Sequence, residues 1–174
     1  TLQINSEIFT YTGVTSTTFT GVTRAQSSTS AAAHATNDVV SESWTERDAS
    51  RSSAGKYNFE RFNFDGNDKL VVVDGDNAPT VFNTSIAATD VSSGGGGEVS
   101  VAVTGAKFVT AFRDHMFYAG MSSTPQELVF SVPFDEDNFA TGSGAGSIKV
   151  DDTIVGLKVF RSDLFIFCEN RIFK

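Results

Sequence analysis

"RDHMFYAGMSSTPQELVF", residues 113–130, sets an aromatic-rich apolar run, a polar turn and a second apolar run in direct succession. A closely similar phrase, "RSDLFIFCENRIF", occupies residues 161–173. Aligning 112–118 on 160–166 matches apolar to apolar and Arg113 to Arg161, at an offset of 48 residues. Aligning "LVVV", residues 70–73, on 116–119 extends the match backwards at an offset of 46. Each run has strand length, and each of the first two is followed by a polar turn and another apolar run. Three units therefore recur. A unit of three or four short strands cannot bury both faces by itself, so such units stack around an axis as the blades of a β-propeller. The Phe, Val and Ile at alternate positions of "FVTAF", "LKVF" and "LFIF" would fill the space between neighbouring sheets.

Composition agrees with a strand-built chain. The 174 residues are 40% hydrophobic, enough for a real core, and 16 Phe stand beside only 2 Met; Phe, Val, Ile and Thr suit a pleated surface better than a helix. The expected fold is all-β, with a small N-terminal β module over 1–42, a connection over 43–55 and part of a propeller-like domain over 56–174. A β-sandwich built from similar hairpins is the alternative. The connection "SESWTERDASRSSAG" holds one large apolar residue, Trp44, and the boundary falls near Ser53. Propellers typically have four to eight blades, and the roughly dozen strands expected here make three or four. The reading therefore expects an ordered piece of a longer polypeptide, with further blades beyond Lys174.

Within the first module, "SEIFTYTG" and "STTFTGVTR" read as two short strands around a Gly-containing turn. "SSTSAAAHATNDVV" reads either as one helical turn over 31–35, ended by Asn37-Asp38, or as an irregular loop. In the second region, Asp-Gly in "KLVVVDGDNAPTVFN" marks a hairpin whose loop also holds Pro79. Gly94 to Gly97 is a linker, since it lacks the Lys-Ser/Thr ending and following helix of a phosphate loop. "EVSVAVT" after it alternates in the strand period.

The formal charge of -8 opposes nucleic-acid binding, and the 13 Lys and Arg are scattered rather than gathered into a basic patch. No apolar run approaches the roughly 20 residues of a membrane-spanning helix. The lone Cys168 has no internal disulfide partner and sits in an apolar run, where a small buried hydrophobe is the simplest role.

The phrases "FNFDGNDKLVVVDGDNAPTVFN", "FRDHMFYAGMSSTPQELVFSVPFDEDNFATG" and "IVGLKVFRSDLFIFCENRIFK" resemble the propeller-like segments of tailed-bacteriophage virion proteins, including tail nozzle and other tail-tip or baseplate components. "EIFTYTG...FTGVTRAQSSTSAAAHATNDVV" is similar to a short β module of phage tail proteins, with Ala25 and Ser28 where that module usually has glycine. The resemblance implies a non-enzymatic structural protein of the virion, located in the phage tail. Its partners would be other virion proteins, further copies of itself and a host receptor, and it carries over no catalytic, cofactor-binding or metal residues. An acidic surface would suit a channel past which DNA slides without sticking.

Potential chemistry is sparse. His115 beside Asp114, with Ser122 or Ser123, contains the residue types of a hydrolytic triad but lacks a nucleophile elbow or oxyanion hole. Asp65, Asp68, Asp74 and Asp76 are oxygen ligands of the kind Ca²⁺ accepts, yet their spacing is not that of an EF-hand, and turn formation is the simpler role. Whether Asp74 and Asp76 hold a cation is left open by spacing alone. Asp135-Glu136-Asp137 and Asp151-Asp152 read as solvated loop acids. His34 lies in the Ala-rich stretch. The alternative function is a glycan-binding or glycan-cleaving propeller, with a pocket lined by Trp44, Tyr57 or Tyr118 and two convergent carboxylates.

Overall fold

The repeated phrases fold as β-hairpins. The computed structural model describes residues 1–43, 47–49, 51, 54–92 and 99–174, and it is all-β, with one single-turn 3-10 segment at Thr141–Ser143 among the described residues. The chain divides into two compact units, Thr1–Glu46 and Arg47–Lys174. The expected boundary at Ser53, together with Trp44 and Gly94 to Gly97, lies outside the described residues.

The first unit holds β1 (Leu2–Ile4), β2 (Glu7–Phe9), β3 (Gly13–Val14), β4 (Phe19–Thr20) and β5 (Val40–Glu42). β1 lies between β2 and β5 in an antiparallel sheet, and β3 pairs with β4. The Ala-rich stretch forms no helix. Its backbone is drawn into side-chain bonds instead: Ala32 N donates to Glu7 Oε2 at 2.8 Å and Ala35 N to Asp38 Oδ2 at 2.9 Å. Ala25 and Ser28 both take the left-handed conformation, with φ of 54° and 62°. The turn after Arg24 thus adopts this conformation at the steric cost of a Cβ.

The second unit is three antiparallel sheets in chain order. Sheet one contains β6 (Asn58–Phe62), β7 (Lys69–Val73), β8 (Thr80–Phe82) and β9 (Ala88–Asp90). Sheet two contains β10 (Phe108–Phe112), β11 (His115–Ala119), β12 (Glu127–Phe130) and β13 (Gly146–Lys149). Sheet three contains β14 (Ile154–Phe160), β15 (Asp163–Cys168) and β16 (Ile172–Phe173). Every strand pairs with its sequence neighbour, so each sheet is a meander. The offsets of 46 and 48 residues carry the start of β7 onto β11 and of β11 onto β15.

The matched arginines occupy matched turns. Phe112 pairs with His115 and Phe160 with Asp163, leaving two-residue connections. Arg113 and Asp114 both have positive φ, at 47° and 65°, as the tight hairpin turn that follows strand twist requires. Each guanidinium lies over the preceding ring, Arg113 at 5.1 Å from Phe112 and Arg161 at 5.5 Å from Phe160.

Sheet two is covered on both faces. Side chains alternate across a strand, so Met116 and Tyr118 face sheet one with Val71, Val73, Val81 and Val109. Phe117 and Ala119 face sheet three with Leu128, Leu164, Ile166 and Cys168. The sheets approach most closely at their first strands, β6, β10 and β14. "EVSVAVT" is a correction: its described part, from Val99, forms no strand. It keeps the alternation, however, burying Val99 and Val103 in the first core, and Val99 N bonds the Phe139 carbonyl at 2.9 Å. The Asp-Gly hairpin forms with the longer, Pro79-containing loop read from the sequence, 74–79, between β7 and β8.

Candidate functional site

The most concentrated polar cluster of the first unit surrounds Glu7, a carboxylate on β2 with no exposed surface. Arg24 donates to it from Nε at 2.9 Å and Nη2 at 2.7 Å. Ala25 N at 3.2 Å and Ala32 N at 2.8 Å add backbone donors, and His34 Nε2 lies 2.8 Å from Oε2. The His34 ring also leans on Phe9, with centroids 5.5 Å apart. Arg24 reaches back to the Ala32 carbonyl, so the loop is closed over the carboxylate. A carboxylate this fully bonded has no lone pair to spare for a substrate; it holds the module together. The Arg24 guanidinium first, with the Ala32 amide and His34 adding to it against the cost of burial, keeps Glu7 far below the ordinary carboxylate range.

That shift has a sign in acid. A carboxyl held below its ordinary value of 4.5 stabilises the folded form above that value and loses its contribution as pH falls. Leu2 and Phe9 are the buried hydrophobic side chains among the described residues of this unit, a thin core that makes the clamp matter. Acid titration followed by the amide resonances of Ala25 and Ala32 should show the first unit losing structure as pH drops below about 4.5, while Glu7→Gln should flatten that dependence. An unchanged acid profile in Glu7→Gln would assign the effect elsewhere.

The triad residues are not brought together. His115 Nδ1 lies 2.6 Å from the Ser131 carbonyl, and its ring sits edge-on to Phe130 at 5.5 Å. Ser122 and Ser123 follow the far end of β11, about 13 Å along the strand from His115 at a typical rise per residue.

The aspartates of the first sheet also go separate ways. Asp74, buried, accepts from Asp76 N at 3.0 Å, Asn77 N at 2.8 Å and Asn77 Nδ2 at 2.7 Å, which builds the loop after β7. Asp76 is exposed. Asp68 pairs with Arg61 at 2.7 Å and Asp65 with Lys69 at 3.5 Å. Among the described residues, no three His, Cys, Asp or Glu side chains gather as a metal-holding group.

Two expectations for acids and aromatics need correction. Glu136 is not a solvated loop acid: it is 6% exposed and takes a 2.8 Å bond from Lys69, joining sheets one and two. Tyr118 does not line a pocket: it is wholly buried, and its hydroxyl donates to the Glu136 carbonyl at 3.1 Å. Burial, with the charges of Glu136 and Asp137 behind it, raises the phenol well above its ordinary range. Asp152 does act as a loop acid, accepting from Asn170 N and Thr153 N, each at 2.8 Å. Cys168 is buried against sheet two as a small hydrophobe, and burial raises its thiol.

What stands open on sheet three is largely apolar. The face of sheet three turned away from sheet two exposes Phe160, Phe167 and Ile172, and Lys158, Phe160, Phe165, Phe167 and Ile172 line a groove of about 290 Å³ on it. The face of sheet one turned away from sheet two exposes Phe59, and a groove of about 500 Å³ there is mixed, lined by Arg47, Arg61, Asp68 and Lys69 as well as Leu70, Phe82 and Ile86. The signal for these surfaces was present in the strand alternation, but alternation alone does not tell a covered apolar face from an open one. Among the described residues no helix is long and apolar enough to cross a membrane. No family model, curated protein or solved structure matches the chain.

Proposed function

We propose that this chain is a non-enzymatic structural component of a tailed-phage virion, placed in the tail as part of a nozzle, tip or baseplate, and that it acts by assembly. The second unit is read as successive blades of a propeller-like domain. The observation that carries the assembly reading is the open apolar face of sheet three, with Phe59 exposed on the outer face of sheet one. Large apolar side chains gathered on one surface of a folded chain favour a partner over water, and Phe59, Phe160 and Ile172 are each more than half exposed. The polar clusters support the same reading from the other side, because Glu7, Asp74 and Glu136 spend their oxygens on the protein's own donors. The tail position rests on the sequence resemblance, with other virion proteins as partners and a host receptor as a further one.

The test is where the protein resides. Antibody raised against the chain should label purified particles at the tail and should sediment with them through a gradient. Protein found wholly in the soluble fraction, with unlabelled particles, would overturn the assignment.

A further inference from the structure

We propose that Asp65 is a site of spontaneous modification, where the folded protein converts its Asp65–Gly66 linkage to an isoaspartyl bond. Asp74–Gly75, the same dipeptide at the opposite end of β7, is protected by the fold. The proposal goes beyond the assembly reading and does not depend on it.

Aspartate followed by glycine is open to attack from its own backbone, because glycine has no Cβ to keep the next nitrogen away from the side-chain carboxyl. The glycine nitrogen adds to Cγ of the neutral carboxyl. Its proton and the carboxyl hydroxyl leave together as water, and a five-membered succinimide closes. Water then opens one of the two ring carbonyls. Opening at Cγ restores aspartate, whereas opening at the main-chain carbonyl leaves the chain running through Cβ and Cγ, one atom longer. The water lost is regained, so solvent is the only co-reactant.

At the first site the reacting atoms are free to meet. Asp65 and Gly66 are both exposed on the loop that joins β6 to β7. Gly66 has φ of 86° and nothing within 4 Å of the position a Cβ would take. Among the described residues its N–H has no backbone partner. Asp65 Oδ1 accepts from Asn67 N at 3.2 Å, which folds the carboxyl back along the Gly66 peptide. The Asn67 amide and then Lys69 hold the carboxyl below its ordinary range, so the neutral form that reacts is scarce and the conversion is slow.

At the second site neither atom is free. The Asp74 side chain has no exposed surface and lies 3.7 Å from Arg51. Its Oδ1 accepts from Asp76 N at 3.0 Å and Asn77 N at 2.8 Å, and its Oδ2 from Asn77 Nδ2 at 2.7 Å. Gly75 N is itself committed, donating to the Ala106 carbonyl at 3.0 Å, and the Lys107 side chain lies against Gly75. Ring closure there would break the Gly75 bond and pull the carboxyl from its donors. At Asp65 the change is local: Phe62 and Lys69 stay paired on either side, while the carboxylate moves to another carbon and leaves Lys69 to Glu136.

Incubating the folded chain for weeks at physiological temperature in mildly acidic buffer tests this. Proteolysis and fragmentation mass spectrometry should find isoaspartate in the peptide holding Asp65 and none in the peptide holding Asp74. The same incubation in urea should modify both, because only the fold distinguishes them. Asp65→Glu, which needs a six-membered ring, should lower the modification of its peptide several-fold. Asp65→Asn, which loses ammonia in place of water, should raise it several-fold. Both substitutions fall on an exposed side chain, and circular dichroism checks that each variant folds. Isoaspartate at neither site of the folded chain, or at both in equal measure, would overturn the proposal. So would an isoaspartate total that Asp65→Glu leaves unchanged.

Discussion

Tyr118→Ala lowers the stability of the second unit by about 3–5 kcal/mol, the range for truncating a large buried aromatic, and moves its urea midpoint down by about 2 M at a typical denaturant slope for a domain of this size. Three observations place the effect at the upper end for this chain. The side chain has no exposed surface. Its ring lies between Val109 and Val129 in the strand register and 5.9 Å from Phe139. Its hydroxyl satisfies the Glu136 carbonyl. Truncation thus leaves a cavity between sheets one and two and an acceptor without its donor. Tyr118→Phe separates the two terms: it keeps the ring and should cost about 1 kcal/mol, the net value of one hydrogen bond. The unfolding curve should stay a single transition for sheets one to three, because sheet two contributes side chains to both cores. A split transition, or a loss under 1 kcal/mol for Tyr118→Ala, would show that the sheets do not depend on this contact.

How much of this was readable beforehand varied with the range of the interaction. The repeat offsets located β7, β11 and β15 because strand period and turn chemistry are local, and Arg113 and Arg161 marked matching hairpins because each stacks on its own neighbour. "EVSVAVT" showed the limit of period alone: Val99 and Val103 point inward as alternation predicts, yet no strand pairs with them. The Lys69–Glu136 bond spans 67 residues, so nothing local distinguished Glu136 from the exposed acids around it. Glu7 was read only as part of a strand. The available hint was that Arg24 and His34 stand in otherwise uncharged Thr- and Ala-rich stretches, but their convergence on one carboxylate is a product of the fold. Of the two readings of 31–35, the irregular loop is the one formed, with the Ala32 and Ala35 amides bonded to the Glu7 and Asp38 carboxylates.

Arg51→Ala is the second large effect, about 3–5 kcal/mol, the range for removing one partner of a buried ionic cluster. Arg51 lies in the segment expected to be a connection, yet its side chain is 12% exposed and reaches four elements of sheet one's surroundings. It donates to Asp48 at 2.5 Å, to the Ala78 carbonyl at 2.7 Å, to Thr80 Oγ1 and to Asp90 at 2.8 Å, and lies 3.7 Å from Asp74. Deleting it leaves three carboxylates facing one another without their shared cation. Asp90, with a side chain 60% exposed, is the member that water can compensate, so Asp90→Asn alone should cost under 1 kcal/mol. Arg51→Lys should recover only part of the loss, because an ammonium keeps the charge but not the planar fork that spans Asp48, Ala78 and Asp90. Urea titration gives the total, and amide exchange gives its location: protection at Asp76, Asn77 and Val81 should fall before that at Ile166 and Phe167. If Arg51→Ala costs less than 0.5 kcal/mol, an ordinary surface ion pair, then Asp48 and Arg51 add little to the unit they belong to; a loss in the expected range makes their cluster one of its main supports.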